Sequence, residues 1–310
     1  MNKSRSLAVL ATIALLALVS ACTPKQFKLQ LHLKAGETYH ITTHVQHHFV
    51  REFMGKKQDI TQDMEVEYSW KVTDVDSNGN ATVEATYNHL KISQTQSGQT
   101  TAYDSAKDKK PPNLFAGLNF IIGKHFTVVL SPDGGVKQIS GLDEMFKQVE
   151  DEAGLQGKQR ERFQQSLTQT FGAAVIQDQI TTAFGPYTDK PLKEGSTWES
   201  DANLTSFFPV TVHSTYTVKS WDGDKATIGV QSTIASDPNQ QYKLPMFTAQ
   251  YDLKGYQQGE ITFDLTSGLP SHSSVKQHME GMIHLLDPSG SESIPLPVTV
   301  DTMMEMKAGK

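Results

Sequence analysis

The 310-residue chain contains one cysteine, Cys22. A disulfide framework and a cysteine-based metal cluster are therefore excluded. The fold must rest on burial of apolar surface, and a chain of this length can bury roughly three quarters of what it exposes unfolded. Cations are in deficit, with 28 Lys and Arg against 34 Asp and Glu. That balance argues against nucleic acid as a partner and against electrostatic attraction to anionic lipid. Outside the N-terminus no apolar run approaches the roughly 20 residues of a membrane-spanning helix. Gly-x-Ser-x-Gly, His-Glu-x-x-His and a glycine-rich phosphate loop are all missing. No nucleophile, catalytic metal or cofactor is indicated, and the chain is not expected to be an enzyme.

What is present begins at the N-terminus. Lys3 and Arg5 precede an almost unbroken apolar stretch from Leu7 to Leu18, and Val19-Ser20-Ala21 leads into Cys22. A basic start, an apolar core and a small-residue cleavage site describe a secretory signal over residues 1–21. A cysteine at the cleavage point resembles the lipobox of bacterial lipoproteins, although Val19 stands where leucine is commoner. The resemblance implies that Cys22 becomes the first mature residue and carries acyl chains (diacylglycerol, palmitate), with residues 22–26 as a tether. Two or more such chains anchor a protein stably. Thr23, rather than aspartate, after the cysteine implies the periplasmic face of the outer membrane. The competing reading is an incidental cysteine beside an ordinary signal-peptidase site. Cleavage removes two of the 28 basic residues and no acid, which leaves a formal charge of about −8.

The mature sequence repeats itself weakly. Leu33-Lys34-Ala35-Gly36-Glu37-Thr38-Tyr39 resembles Leu192-Lys193-Glu194-Gly195-Ser196-Thr197-Trp198. After each copy comes a hairpin, turning at Asp76-Ser77-Asn78-Gly79 in the first and Asp222-Gly223-Asp224 in the second. Each hairpin is followed by a strand with its own turn, Phe126–Leu130 before Ser131-Pro132-Asp133-Gly134 and Glu260–Leu265 before Thr266-Ser267-Gly268. Met64, Val66, Tyr68, Trp70 and Val72 alternate with polar residues, as one wet and one buried face of an antiparallel sheet require. Leu296, Val298, Val300, Thr302 and Met304 keep the same period.

Between the repeats the period becomes helical. Leu142, Met145, Phe146 and Val149 form one stripe, with Ser140 and Asp143 as an expected capping box. Phe163, Leu167 and Phe171 form a second stripe, and Val175, Ile176, Ile180 and Phe184 a third that stops at Gly185-Pro186. The expected fold is mainly β (α+β). It has two related antiparallel lobes, 27–140 and 187–306, either separate or in one curved sheet, with a helical connector at 141–186 and a tail at 307–310. Residues 94–113 and 235–245 read as long loops.

His40, His44 and His48 share one strand face, but residues four apart on a strand are about 13 Å apart. They cannot meet on one ion unaided, so no metal site is assigned and a solvated face is expected. Glu150-Asp151-Glu152 reads as a wet helix face, and Tyr103-Asp104-Ser105 as a turn. Aromatic residues suit a greasy cavity under a curved sheet as well as an ordinary core. Tyr68, Trp70, Trp198 and Tyr216 are the candidate ligand-binding residues. Met246, Met279, Met282, Met303, Met304 and Met306 add adaptable apolar surface in the second half.

Leu33 to Tyr39, Tyr68 to Val83, Tyr103 to Ser105, Phe126 to Val136 and Gly141 to Asp143 together resemble a family of bacterial lipoproteins of unknown function. That family offers no catalytic residue to carry over. In architecture alone the chain also resembles the periplasmic lipoprotein-carrier fold, a curved sheet closed by helices. The expected role is a non-enzymatic lipoprotein of the cell envelope that binds a hydrophobic small molecule or lipid. An envelope scaffold that binds a protein partner without a cavity is the alternative, and an uncharacterised hydrolase the third reading.

Overall fold

A computed structural model describes residues 25–53, 55–243, 248–286 and 293–310. The expected signal, Cys22 and the start of the tether lie outside the described residues, as does Met246.

The first half of the chain contributes β1 (Phe27–Leu29), β2 (Thr38–Phe53), β3 (Lys56–Val75), β4 (Ala81–Gln96), β5 (Gln99–Asp104), β6 (His125–Leu130) and β7 (Val136–Ser140). Three helices follow, α1 (Leu142–Ala153), α2 (Gly157–Phe171) and α3 (Ala173–Phe184). The second half contributes β8 (Thr188–Leu192), β9 (Thr197–Leu204), β10 (Val210–Trp221), β11 (Lys225–Ala235), β12 (Gln241–Lys243), β13 (Thr248–Asp264), β14 (Pro270–Leu286) and β15 (Ser293–Gly309). Among the described residues no helix is long and apolar enough to cross a membrane.

The protein is mainly antiparallel β, and the two lobes form one sheet of 13 strands. Its order is β7-β6-β4-β3-β2-β15-β14-β13-β11-β10-β9, with β5 on β4 and β12 on β13. Each half is thus a five-strand meander, and β15 joins them by pairing with β14 on one side and β2 on the other. β1 and β8, which precede the two repeats, pair with each other apart from the large sheet.

Matching hydrogen bonds occupy matching places in the two halves. Gly36 N–H donates to Val72 O at 2.8 Å, and Gly195 N–H donates to Val218 O at 3.0 Å. Val72 and Val218 return the bond to Glu37 O and Ser196 O, each at 2.9 Å. The hairpin turns also agree. Asp76 accepts the N–H of Asn78 at 2.8 Å, and Asp222 accepts that of Asp224 at 3.1 Å.

Four sequence expectations are corrected. Lys307 to Gly309 are not a tail but the end of β15, because their backbones continue the ladder opposite Thr42 to His40. The stretch 94–113 is not all loop, since β4 extends to Gln96 and β5 folds back on it through Ser97-Gly98. Residues 235–245 likewise include β12. Ser140 does not cap α1. Its backbone still pairs with Thr127 in the sheet, so Gly141 occupies the cap position without a side-chain bond.

The helices lie on the sheet's apolar face. Val149 of α1, Leu167 of α2 and Ile180 of α3 share one core with Val83, Phe126 and Leu130 of the first half. A second core holds Phe27, Trp198, Tyr216, Ile228 and Phe263, and a third Val212, Leu253, Met279, Val298 and Val300. Phe263 and Ile228 are fully buried, each contributing about 1.5–3 kcal/mol. α3 touches both end strands of the sheet, β7 and β9. The sheet must therefore curl for its two ends to reach one helix. Asp178 of α3 fastens this closure by accepting the N–H groups of Thr205 at 2.8 Å and Ser206 at 2.7 Å.

Candidate ligand cavity beneath the third helix

Alternation on β2 and β3 turns Ile41, Thr43, Tyr68 and Trp70 toward the helical layer, and they line a cavity under α3. Tyr87 of β4 and Phe126 and Val128 of β6 continue that wall. α3 supplies the roof through Ile176, Gln179, Ile180, Ala183 and Phe184, spaced so that one helical face looks inward. Leu269, Pro270, Met306 and Ala308 close the side facing β14 and β15. The space they line is about 80 Å³ and is partly open to solvent.

The wall is a packed aromatic array. Tyr68 and Tyr87 have ring centroids 5.1 Å apart, Tyr87 and Phe126 5.8 Å, and Tyr87 meets Phe171 edge-on at 5.4 Å. Burial pushes both tyrosine hydroxyls well above their usual pKa, so they are neutral throughout the physiological range. Among the described residues Gln179 is the one amide in the lining, and no acid, base or nucleophile array converges on the space. The lining is therefore largely apolar.

The four candidate ligand-binding residues are divided by the fold. Tyr68 and Trp70 line the cavity. Trp198 and Tyr216 instead stack at 5.6 Å in the second core. Tyr216 abuts the end of α3, where a Cβ on Gly185 would fall 2.6 Å from its hydroxyl. Among the described second-half methionines only Met306 is in the lining, and Met279 belongs to the third core. Alternation in sequence identifies which face a residue occupies. It cannot show that Ala308 and Ile41, at opposite ends of the chain, are paired neighbours.

The opposite, wet face of the sheet carries histidines paired with carboxylates. Nε2 of His44 is 3.1 Å from both oxygens of Asp63. Nε2 of His48 is 2.9 Å from Asp59, and Nδ1 of His278 is 2.7 Å from Asp301. His47 points the other way, with Nδ1 2.9 Å from Thr302 Oγ1, and burial lowers its pKa. Asp104, beside Tyr103 and Ser105, accepts from His89 and from the Ala106 N–H, which together hold its carboxyl well below the usual range. Glu150 departs from the expected wet helix face. It is buried and takes Arg160 Nε at 2.8 Å, since α2 folds back across α1.

Residues 78–270 match the profile of a family described as of unknown function, DUF6263. The chain belongs to this family. The DUF6263 match runs from the first hairpin turn through all three helices to the start of β14. No curated protein matches the sequence. Among solved structures, the chain is similar to lipovitellin, described for its lipid–protein interactions, at 11% identity and a TM-score of 0.46. That likeness covers 90% of this chain but only 26% of lipovitellin's. The Pseudomonas aeruginosa protein OccK7 (OpdD) is similar at 8% identity and a TM-score of 0.24, over 88% of this chain and 99% of that one. DynF of the dynemicin biosynthesis pathway of Micromonospora chersina gives 8% identity and a TM-score of 0.19, over 91% of this chain and 85% of its own. At these scores none of the three bears on function.

Proposed function

We propose that this protein is a non-enzymatic lipoprotein of the cell envelope, anchored through Cys22 to the periplasmic face of the outer membrane. In this reading it holds a hydrophobic small molecule or lipid chain between α3 and the apolar face of the sheet. The observation that carries the ligand reading is the cavity lined by Tyr68, Trp70 and Ile180. Its volume of about 80 Å³ limits the cargo in this conformation. An engineered cavity of about 150 Å³ accepts benzene, and ligand pockets ordinarily reach about 300–1,000 Å³. Only a short apolar segment fits unless α3 moves away. The contact of Asp178 with Thr205 and Ser206 is where such a movement would start.

The anchor reading rests on the signal-like run and Cys22. Mass spectrometry of the N-terminal peptide from the full chain tests it. An acylated Cys22 supports it, and an unmodified cysteine or cleavage elsewhere refutes it.

Native mass spectrometry on a form starting after Cys22, exported and purified without detergent, tests the ligand reading. A co-purifying lipid-sized mass released on denaturation is the expected result. A clean apo mass, unchanged after incubation with fatty acids and phospholipids, removes the carrier role. The small volume then favours the scaffold reading, to be followed by cross-linking for a protein partner.

A further inference from the structure

On the wet face, Glu65 and Glu67 of β3 and His89 of β4 each offer one ligand atom, and the three atoms lie within 4.8 Å of one another. A β-bulge creates this grouping. Tyr68 pairs with Tyr87, yet Glu67 pairs with His89, so Asn88 is the extra residue that turns His89 to the wet face.

Nε2 of His89 lies 2.8 Å from Oδ1 of Asp104 on β5. Asp104 is already engaged by Lys107 Nζ at 3.1 Å and by the Ala106 N–H at 3.0 Å. In the neutral tautomer whose Nε2 donates to that carboxylate, Nδ1 carries a lone pair. That atom is buried and has no hydrogen-bond partner. The group facing it is Glu67 Oε1 at 3.5 Å, which is also an acceptor. Glu65 is in no ion pair among the described residues, although Lys91 stands opposite it in the ladder. Acceptors that converge on a buried, unsatisfied nitrogen lack a positive partner between them.

We propose that Nδ1 of His89 and the carboxylates of Glu65 and Glu67 form a binding site for a divalent first-row transition-metal ion. One imidazole with two carboxylates is a donor set suited to zinc, whereas magnesium and calcium favour all-oxygen surroundings. The 3.5 Å from Nδ1 to Glu67 is close to the separation of about 3.3 Å that two ligands take around a tetrahedral zinc. The remaining position opens to water past the exposed Glu67. Asp104 orients the imidazole from behind, as an outer carboxylate commonly does for a metal-binding histidine. A bound ion ties β3 to β4 and, through Asp104, to β5.

The full chain in detergent, stripped with EDTA, is titrated with zinc chloride by calorimetry, and its metal content is counted after dialysis. One zinc per chain is expected. A Glu65→Gln/Glu67→Gln variant keeps the side-chain shapes and removes only the charges, so its metal-free melting temperature is unchanged and its zinc affinity falls at least about tenfold. Asp104→Asn weakens zinc by about ten- to a hundredfold. His44→Gln, in the neighbouring pair with Asp63, leaves the affinity as it was. Equal zinc uptake by the wild type and the double variant overturns the assignment. So does a loss in His44→Gln as large as that in the double variant. The rival arrangement is a protonated His89 bridging Asp104 and Glu67. It predicts no zinc binding, and a lower metal-free melting temperature for Glu67→Gln.

Discussion

Gly195 and Val218 are joined through their backbones at 3.0 Å in the place where Gly36 and Val72 are joined at 2.8 Å. Both glycines have positive φ, +78° at Gly195 and +87° at Gly36, so the two copies of Leu-Lys-x-Gly-x-Thr share one left-handed turn. A side chain in that conformation costs about 1–2 kcal/mol. Neither glycine has an atom within 4 Å of an added Cβ, so the strain stands alone. Gly36→Ala and Gly195→Ala should each lower the unfolding free energy by about 1 kcal/mol, and together by the sum. Urea unfolding of the two single variants and the double variant measures this. A neutral effect at one site and a large one at the other would refute equivalent roles.

Asp178 closes the sheet on itself. Asp178→Ala leaves the N–H groups of Thr205 and Ser206 without their acceptor, at an expected cost of about 2–4 kcal/mol. Amide exchange at these two residues should accelerate far more than at Val83 or Ile228 in the packed cores. If α3 is the movable roof, binding of an apolar dye should also rise.

Ala183 faces the cavity from α3. Ala183→Leu places additional carbons in the empty space. Any co-purifying apolar mass should be lost while the melting temperature holds or rises. Ile180→Ala enlarges the space and should cost about 2–5 kcal/mol. A ligand retained unchanged in Ala183→Leu places binding elsewhere.

Two histidines should give opposite pH signatures. Burial lowers the pKa of His47, so the unfolded chain binds the proton more readily. Its contribution is present above the unfolded value of about 6.5 and is lost as pH falls toward the lower folded value. His47→Gln should therefore flatten the loss of stability between about pH 7 and 5. The bond to Asp201 raises the pKa of His213. That contribution is complete below about 6.5 and fades as pH rises through the higher folded value. His213→Gln should then destabilise at pH 6 and have no effect at pH 9. Melting curves of both variants across this range check the signs.

Much of the fold was legible because local rules generate it. The alternation from Met64 to Val72, the Asp76–Gly79 turn and the stripe through Ile176, Ile180 and Phe184 are short-range patterns. The structure keeps each as strand, turn and helix. Tyr68 and Trp70 could be placed on the buried face for the same reason. Their being cavity residues, unlike Trp198 and Tyr216, depended on which strands α3 covers.

The sequence by itself determined most of the long strands, the three helices and most of the wet and apolar faces, because period and turn chemistry act over a few residues. Tertiary structure alone decided that the halves form one sheet. β15 does this by pairing with β2, a contact between the ends of the chain that no local pattern encodes. It also decided the face of His89. In the register of Tyr68 and Tyr87, His89 would oppose Val66 on the apolar side. One bulged residue, Asn88, places it beside Glu67 instead. Because side chains alternate every residue, a slip of one position reverses the face, and only the paired strand fixes where that slip occurs.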